Sequence, residues 1–403
     1  MNIKPVVSAL LRNRVGAILV ALEIAIALAV LVNAAFLVGQ RIAKIDAPTG
    51  LEYHDMFAIT MAGLTSDFDP QRSMRDDLAY LRGLRGVVGV APAGTIPLSG
   101  DGSNGNLYLE PDQRGNTVVT SWMATDEQGL QTLGARLIAG RNFRATEILP
   151  MVRDKINQAT PEIIVTQSLA RALFPGRNAL GRSVYDNQGR PMTIIGITRD
   201  FVGQVGFGSP PNNVALLPQL GGGYGAYYCL VRTAPGKAEA TMLLAARHLA
   251  AMDATRVIFS AHTLDYYKNQ LDSDDRNTAI FLVVVTTLIL AITCLGIFGL
   301  TTFNVSTRTK QIGTMRAVGA RRRDVVIHFL IENAIIVVLG VVIGCTLALG
   351  VGYWLSMAYG QPRLDLSFLA AGVLILAAIG QLAAWQPARR AASVPPSVAT
   401  RTV

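Results

Sequence analysis

The chain has 403 residues, of which 51% are apolar and only 16% charged, and its mean hydropathy is +0.37. Soluble domains carry nearer a quarter charged residues, so this composition argues against a purely soluble protein. The net charge of +9 lies beside apolar runs, which excludes nucleic acid as the expected partner and makes the lipid bilayer the first one.

In chain order, the first apolar run is Val15–Gly39, longer than the roughly 7–15 residues of a signal-peptide core. It reads as an uncleaved anchor whose helical pattern continues through Gln40–Lys44. Ala17, Ala21, Ala25 and Ala29 recur every four residues on one face, ending at Asn33, and such a ridge lets helices approach closely. Alanine is common in spans, so chance spacing is the alternative. Glu23 lies about 200° around the helix from Ala21 and should meet a different neighbour.

The segment from Arg41 to Asn277 reads as mixed α+β. Strand-like runs occur at Met56–Met61, Val87–Val90, Met192–Thr198, Tyr227–Val231 and Val257–Ala261, and helical patterns at Gln71–Leu84, Thr166–Phe174 and Gly236–Met252. The Gly-rich stretches Ser99–Gly105 and Gly203–Gly225 read as loops. Of the three cysteines, Cys294 and Cys345 fall inside apolar runs, which leaves Cys229 without a disulfide partner in this segment.

Three further spans follow, at Thr278–Phe303, Val325–Trp354 and Leu366–Trp385, each near the length of about 20 residues that crosses a bilayer. Span three carries Gly340 and Gly344, a second close-packing site, and the polar pair Glu332 and Asn333. Glu23 and Glu332 should both lie ~13 Å into the membrane, at the helical rise per residue from their cytoplasmic ends. There an acid needs a partner, water or a proton. The partner is either a contact between spans one and three that is remade in a working cycle, or a static one involving Asn333, His328, a threonine or backbone.

Between spans two and three lies STRTKQIGTMRAVGARRRDV, Ser306–Val325, with six cations and the single acid Asp324. Ile312, Met315 and Val318 recur every three residues, which predicts a short amphipathic helix closed by Gly319, with Asp324 capping the next helix. This is a knob for a cytoplasmic motor to push against, or a loop that only sets topology. Arg41 to Arg276 holds 23 cations and 23 acids, whereas the termini and this loop hold twelve cations against Glu23, Asp324 and Glu332. All the excess charge is then on one side, which predicts cytoplasmic termini.

No G-x-x-x-x-G-K-[ST] loop, H-E-x-x-H pair or Cys/His cluster occurs, so catalysis by these residues is not expected, nor a bound cofactor or metal. "RTKQIGTMRAVGARRRDV", between "CLGIFGLTTFNVS" and "FLIENAIIVVLGVVIG", resembles the region between the second and third spans of MacB/FtsX-type ABC transporter permeases. That family's R-x-(R/K)-E-I-G-x-x-(R/K)-A-(L/V)-G-A pattern is matched by Arg308, Lys310, Ile312, Gly313, Arg316, Ala317, Gly319 and Ala320. Gln311 departs, since the family usually has Glu there. "LQTLGARLIAGRNF", "IVTQSLARALFPGRNALGRSV" and "MTIIGITRDF" resemble the family's extracytoplasmic core domain, and "PARRAASVPPSVATR" its usual ending.

The resemblance implies four transmembrane helices and a large two-lobed α+β extracytoplasmic domain, one lobe being inserted roughly at Thr117–Gly225. The expected organisation is residues 1–40 for the N-terminus and first helix, 41–277 for the outer domain, and 278–403 for helices two to four, with a coupling loop at 304–324. It implies a dimer with itself or a similar permease in the bacterial inner membrane, ATP and Mg bound by a separate ATPase subunit, and a periplasmic adaptor as a further partner. Expected contacts with the ATPase are Arg308, Lys310, Gln311, Ile312, Gly313, Met315, Arg316, Ala317, Val318, Gly319 and Ala320. The implied work is ATP-driven release or efflux of a peptide, antibiotic, toxin or lipoprotein. The alternative is an FtsX-like regulator that switches a cell-wall hydrolase.

Overall fold

A computed structural model describes residues 14–65, 68–100, 102–113, 117–150, 160–205, 210–220, 226–360 and 362–393. The C-terminal end of the tail and parts of both Gly-rich stretches therefore lie outside the described residues. The chain divides into two compact units, Ala47–Asp274 and a second formed by Met1–Asp46 with Asp275–Val403.

The first unit contains two lobes. In the smaller, β1 (Met56–Gly63), α2 (Pro70–Arg82) and β2 (Val87–Ala93) are completed far along the chain by β10 (Ala226–Thr233), α5 (Ala238–Met252) and β11 (Arg256–Thr263). The strands lie in the order β11-β1-β10-β2, all antiparallel, which is the split βαβ arrangement with a lobe inserted between its second and third strands. Asp69 starts α2 by accepting from the backbone N–H groups of Gln71 and Arg72 at 3.0 and 3.2 Å, with Pro70 in the first turn. Met74, Leu78 and Leu81 fall on one face of that helix and pack on Phe57, Ile59, Val90 and Val231. The other face of β1, Met56 and Ala58, packs on Met123, Ile164 and Leu216 of the inserted lobe. Burial on both faces explains the nearly unbroken apolar run of β1.

A buried ionic cluster fastens helix to sheet in this lobe. Arg256 at the start of β11 pairs with Asp77 of α2, their side chains 2% and 0% exposed. The Tyr227 hydroxyl donates to Asp77 at 2.6 Å, and Arg256 donates to Ser73 at 2.7 Å. Burial, then the neighbouring Asp77, push the Tyr227 pKa up, so the phenol stays a donor. Cys229 on β10 is free and fully buried, and that burial raises its thiol pKa far above the ordinary range.

The inserted lobe contains β3 (Ser103–Tyr108), β4 (Thr117–Thr125), α3 (Gly129–Leu133), β5 (Leu137–Gly140), β6 (Glu162–Thr166), α4 (Gln167–Leu173), β7 (Ser183–Tyr185), β8 (Pro191–Thr198) and β9 (Val214–Pro218). Its sheet runs β5-β8-β6-β9-β4-β3-β7, and β7 also pairs with β8, so six strands close into a barrel. Leu107, Ile163, Val165, Ala215 and Leu217 share its core with Leu169 and Leu173 of α4. Three sequence expectations are corrected here. The inserted lobe begins at Ser103 rather than near Thr117, and the stretch Gly203–Gly225 is no simple loop, because it contains the fully buried strand β9. Ser99–Gly105 likewise runs into β3.

Among the described residues four helices are long and apolar enough to cross a membrane, and their apolar stretches lie in the second unit. They are α1 (Arg14–Ile45), α6 (Leu264–Thr307), α8 (Arg322–Tyr359) and α9 (Leu366–Ala392), with the short α7 (Thr309–Ala317) between α6 and α8. All four overrun the apolar runs read from sequence: α1 continues past Gly39 to Ile45, as its helical pattern through Lys44 led one to expect, α6 starts before Thr278, α8 ends beyond Trp354, and α9 continues past Trp385 through Pro387.

The packing of α8 on α1 organises this unit. A Cβ built at Gly340 would sit 2.7 Å from Ile24 Cβ and 2.8 Å from the carbonyl of Ala21, and one at Gly344 3.0 Å from the carbonyl of Ala25. Ala21, Ala25 and Ala29 are buried in this seam and Ala17 packs at its edge. The two small-residue stripes read from sequence therefore face each other. Gly372 and Gly380 of α9 serve the same purpose against Val32 and Val337. In the outer turns of this unit, Arg41 and Lys44 of α1 both pair with buried Asp275 of α6.

Gly344→Leu would drive a branched side chain into the backbone of α1, whereas Val342 is 62% exposed. Gly344→Leu is expected to lower the unfolding midpoint in detergent and Val342→Leu to leave it unchanged; equal midpoints would contradict this seam.

Candidate functional site

The basic segment is built where α6 stops. The hydroxyls of Ser306 and Thr307 turn back to the carbonyl of Phe303 at 2.8 and 3.0 Å, and Arg308 leaves helical geometry. Nine residues of α7 follow, and Gly319 at φ +102° ends them, with the Ala320 N–H donating to the Met315 carbonyl at 3.1 Å. Arg321 occupies the cap of α8, and Asp324 reaches back from the third position to accept from the Arg321 N–H at 2.9 Å. Asp324 thus supplies the returning half of a capping box rather than the cap itself.

The three apolar residues of the expected docking face separate. Ile312 is 3% exposed and lies against Val325 and Phe329 of α8 and Ala388, Ala391 and Ala392 of α9. It is a core residue and drops out of the docking face. Met315 is 46% and Val318 89% exposed, and Gln311 and Ala317 are exposed beside them. Gly313 is buried and Ala320 half-buried; Lys310 lies within α7, and its side chain is outside the described residues. Beside this contact a cavity of about 320 Å³ lies between α7 and α8, lined in part by Arg308, Ile312, Met315 and His328.

Two cations expected at the rim of a partner contact are engaged within the chain. Arg308 donates to Glu332 at 2.9 Å, with side chains 17% and 4% exposed. Arg316 donates to the carbonyl of Ala392 at the end of α9 at 2.7 Å. Arg321, Arg322 and Arg323 remain exposed.

Glu332 and Asn333 find partners other than those expected. Among the described residues Glu332 takes neither a contact with span one nor one with Asn333 or His328; its partner is Arg308 of the basic segment. Its second oxygen is buried with no hydrogen-bond partner among the described residues. Asn333 donates to the carbonyl of Gly380 on α9 at 3.0 Å. The polar link between spans one and three is made by Asn33, which donates to Ala348 O at 3.1 Å and to Ala29 O at 2.9 Å. The Glu23 carboxylate faces α6, where a Cβ on Gly296 would sit 2.3 Å from it. Among the described residues no group of three or more His, Cys, Asp or Glu is arranged to hold a metal.

A multi-pass helical unit carrying a mixed α/β domain between its first and second spans, with a short helix lodged at one end of spans three and four, defines a transport-type permease architecture. A model of the MacB-like periplasmic core domain matches residues 17–255, and one of the FtsX-like permease C-terminal region matches residues 283–396. The chain belongs to the MacB/FtsX-like family of ABC transporter permeases. It is 26% identical over 277 residues to the macrolide export ATP-binding/permease protein MacB of Burkholderia lata, covering 66% of this chain and 39% of that protein. It is 26% identical over 326 residues to the protein of the same name from Chromobacterium violaceum, covering 77% of this chain and 49% of that one. The chain thus spans less than half the length of these relatives. The periplasmic region of MacB from Actinobacillus actinomycetemcomitans aligns with a TM-score of 0.35 at 16% identity, covering 57% of this chain and 98% of that one.

Asn333 sits at the contact of α8 with α9, and interhelical hydrogen bonds of this kind contribute about 1 kcal/mol in membranes. Asn333→Ala is expected to destabilise the permease by about 1 kcal/mol in reversible unfolding. No change in stability would mean that the Gly380 contact is not formed in the bilayer.

Proposed function

We propose that this chain is the membrane subunit of an ABC transporter, converting ATP hydrolysis by a separate ATPase subunit into movement of its outer domain. ATP and Mg belong to that partner. The chain works as a dimer with itself or a similar permease, with a periplasmic adaptor as a further partner. Release or efflux of a peptide, antibiotic, toxin or lipoprotein is the assigned work. The observation that carries this reading is the two-sided character of α7. Its inner side is anchored by Ile312, Arg308 and Arg316, and its outer side offers Met315 and Val318 to a partner.

In this reading the docking face is smaller than the sequence pattern implies, since only exposed apolar anchors contribute to binding a groove on the motor. Met315→Asp or Val318→Asp is expected to preserve membrane insertion while abolishing co-purification of the ATPase and stimulated hydrolysis. Arg322→Ala is expected to be milder, and Gln311→Glu, which restores the family's usual acid at an exposed position, to be tolerated. Survival of binding and stimulation in both Asp variants would reduce the segment to a topology signal.

The charge asymmetry supports inner-membrane insertion with both termini in the cytoplasm. In a background with Cys229, Cys294 and Cys345 replaced, a cysteine at Gly319 is expected to react only from the cytoplasmic side. One at Arg177, exposed on the inserted lobe, should react only from outside. Reaction of both from one side would refute the orientation.

A further inference from the structure

We infer that the Arg308–Glu332 ion pair is the joint that fixes the coupling helix to α8, so that displacement of α7 moves that span; the inference rests on α7 being the motor contact. Arg308 and Glu332 are positioning residues in this account, and neither touches the motor.

Helices shorter than about 12 residues are marginal alone, so the orientation of α7 is set by what it is fastened to. Three attachments stand out among the described residues. Ile312 is buried against α8 and α9, Arg316 holds the carbonyl of Ala392, and Arg308 holds Glu332. The first is non-directional packing, and the second reaches the last turn of α9. The third runs from the start of α7 into the interior of α8, to a carboxylate that is 4% exposed. In a poorly solvated setting the attraction between opposite charges is strong, and removing one partner leaves the other buried without compensation. The pair therefore resists both separation and sliding, as apolar packing alone does not.

Its position gives the joint leverage. Glu332 lies on the same helix as Gly340 and Gly344, where α8 meets the backbone of α1. The cavity between α7 and α8 sits beside the pair, so the remainder of that interface is incompletely filled. With the ion pair broken, α7 keeps the Arg316 tether to α9 and the non-directional packing of Ile312 on both helices, but gains freedom to tilt against α8 across this space.

The test is made first on the purified chain in nanodiscs, with nitroxide labels at exposed Val318 and Val338 and the native cysteines replaced. The unaltered pair and the exposed-site control Arg322→Ala are expected to give one narrow distance distribution. Arg308→Gln and Glu332→Gln are expected to broaden it, and the exchange Arg308→Glu with Glu332→Arg to narrow it again. Should the exchanged protein fail to insert, Arg308→Lys, which retains the charge, is the rescue, and it too is expected to be narrow. Unchanged distributions in the Gln variants, or no recovery in the rescue, overturn the joint.

A second measurement adds the ATPase subunit that co-purifies with the chain. The Gln variants are expected to bind it within about twofold of the parent while losing stimulated hydrolysis by about fivefold or more. A proportional loss of binding would overturn the inference by making Arg308 a motor contact. If the unaltered chain binds no ATPase, the motor reading fails, whereas the spin-label result still decides whether the joint exists.

Discussion

Absence of side chains at two positions of α8 is the constraint from which the membrane unit follows. Lipid offers no hydrophobic reward for bringing apolar helices together, so association depends on close van der Waals contact and on hydrogen bonds. Gly340 and Gly344 allow α8 to lie on the backbone of α1 at Ala21 and Ala25. Only at that separation does Asn33 reach the carbonyl of Ala348 across the seam, one turn beyond Gly344. Gly380 repeats the solution on α9: a small residue facing Val337, its carbonyl meeting Asn333. Close backbones and bridging amides are thus one device used twice. They make α8 the helix against which α1, α7 and α9 are all placed.

The outer unit is governed by the opposite situation, because water surrounds it and burial of apolar surface drives assembly. The small lobe requires β1 to pair with β10 and β11, partners separated from it by the whole inserted lobe. Closing so long a loop costs only slowly increasing entropy with length, so the insertion is tolerable provided it folds by itself. A barrel closed by β7 on β8, with its own core, meets that requirement and leaves only β5 as an edge. The buried Arg256–Asp77 pair then fixes α2 against β10 and β11, joining the part of the lobe before the insertion to the part after it.

Legibility in the sequence followed the strength of local periodicity. The small lobe was readable because β1, β2, β10 and β11 are apolar runs and α2 and α5 have a buried face. Much of the barrel was not. β3 is Ser-Asn-Gly-Asn-Leu-Tyr, with a glycine that accommodates the Trp122 ring, and β9 is five apolar residues embedded in a Gly- and Pro-rich stretch. In both, the strand is specified by partners distant in the chain. Within the membrane, the opposed small-residue stripes were visible as spacing, and the separation of Glu23 from the alanine face followed from helical phase: Ala21 meets α8 and Glu23 meets α6. Helical phase does not carry across the break at Arg308 or the turn at Gly319, and so Ile312, Arg308 and Arg316 could not be assigned a side in advance. One signal was available: a buried acid requires a counter-charge, and Arg308 is a cation at the foot of the neighbouring span.

The inward turn of those residues changes what the basic segment does. A motif of cations and apolar residues at helical spacing looks like a single binding epitope, yet its members divide by position along the helix circumference. Arg308, Ile312 and Arg316 spend their interactions on α8 and α9, while Met315 and Val318 are left in the open. Exposed Arg321, Arg322 and Arg323 follow after Gly319, at the foot of α8. Anchoring and apolar exposure thus occupy different sides of one short helix, and surface charge follows it. The helix is held at its start, middle and end, fastened to α8 and α9 rather than left as a free loop.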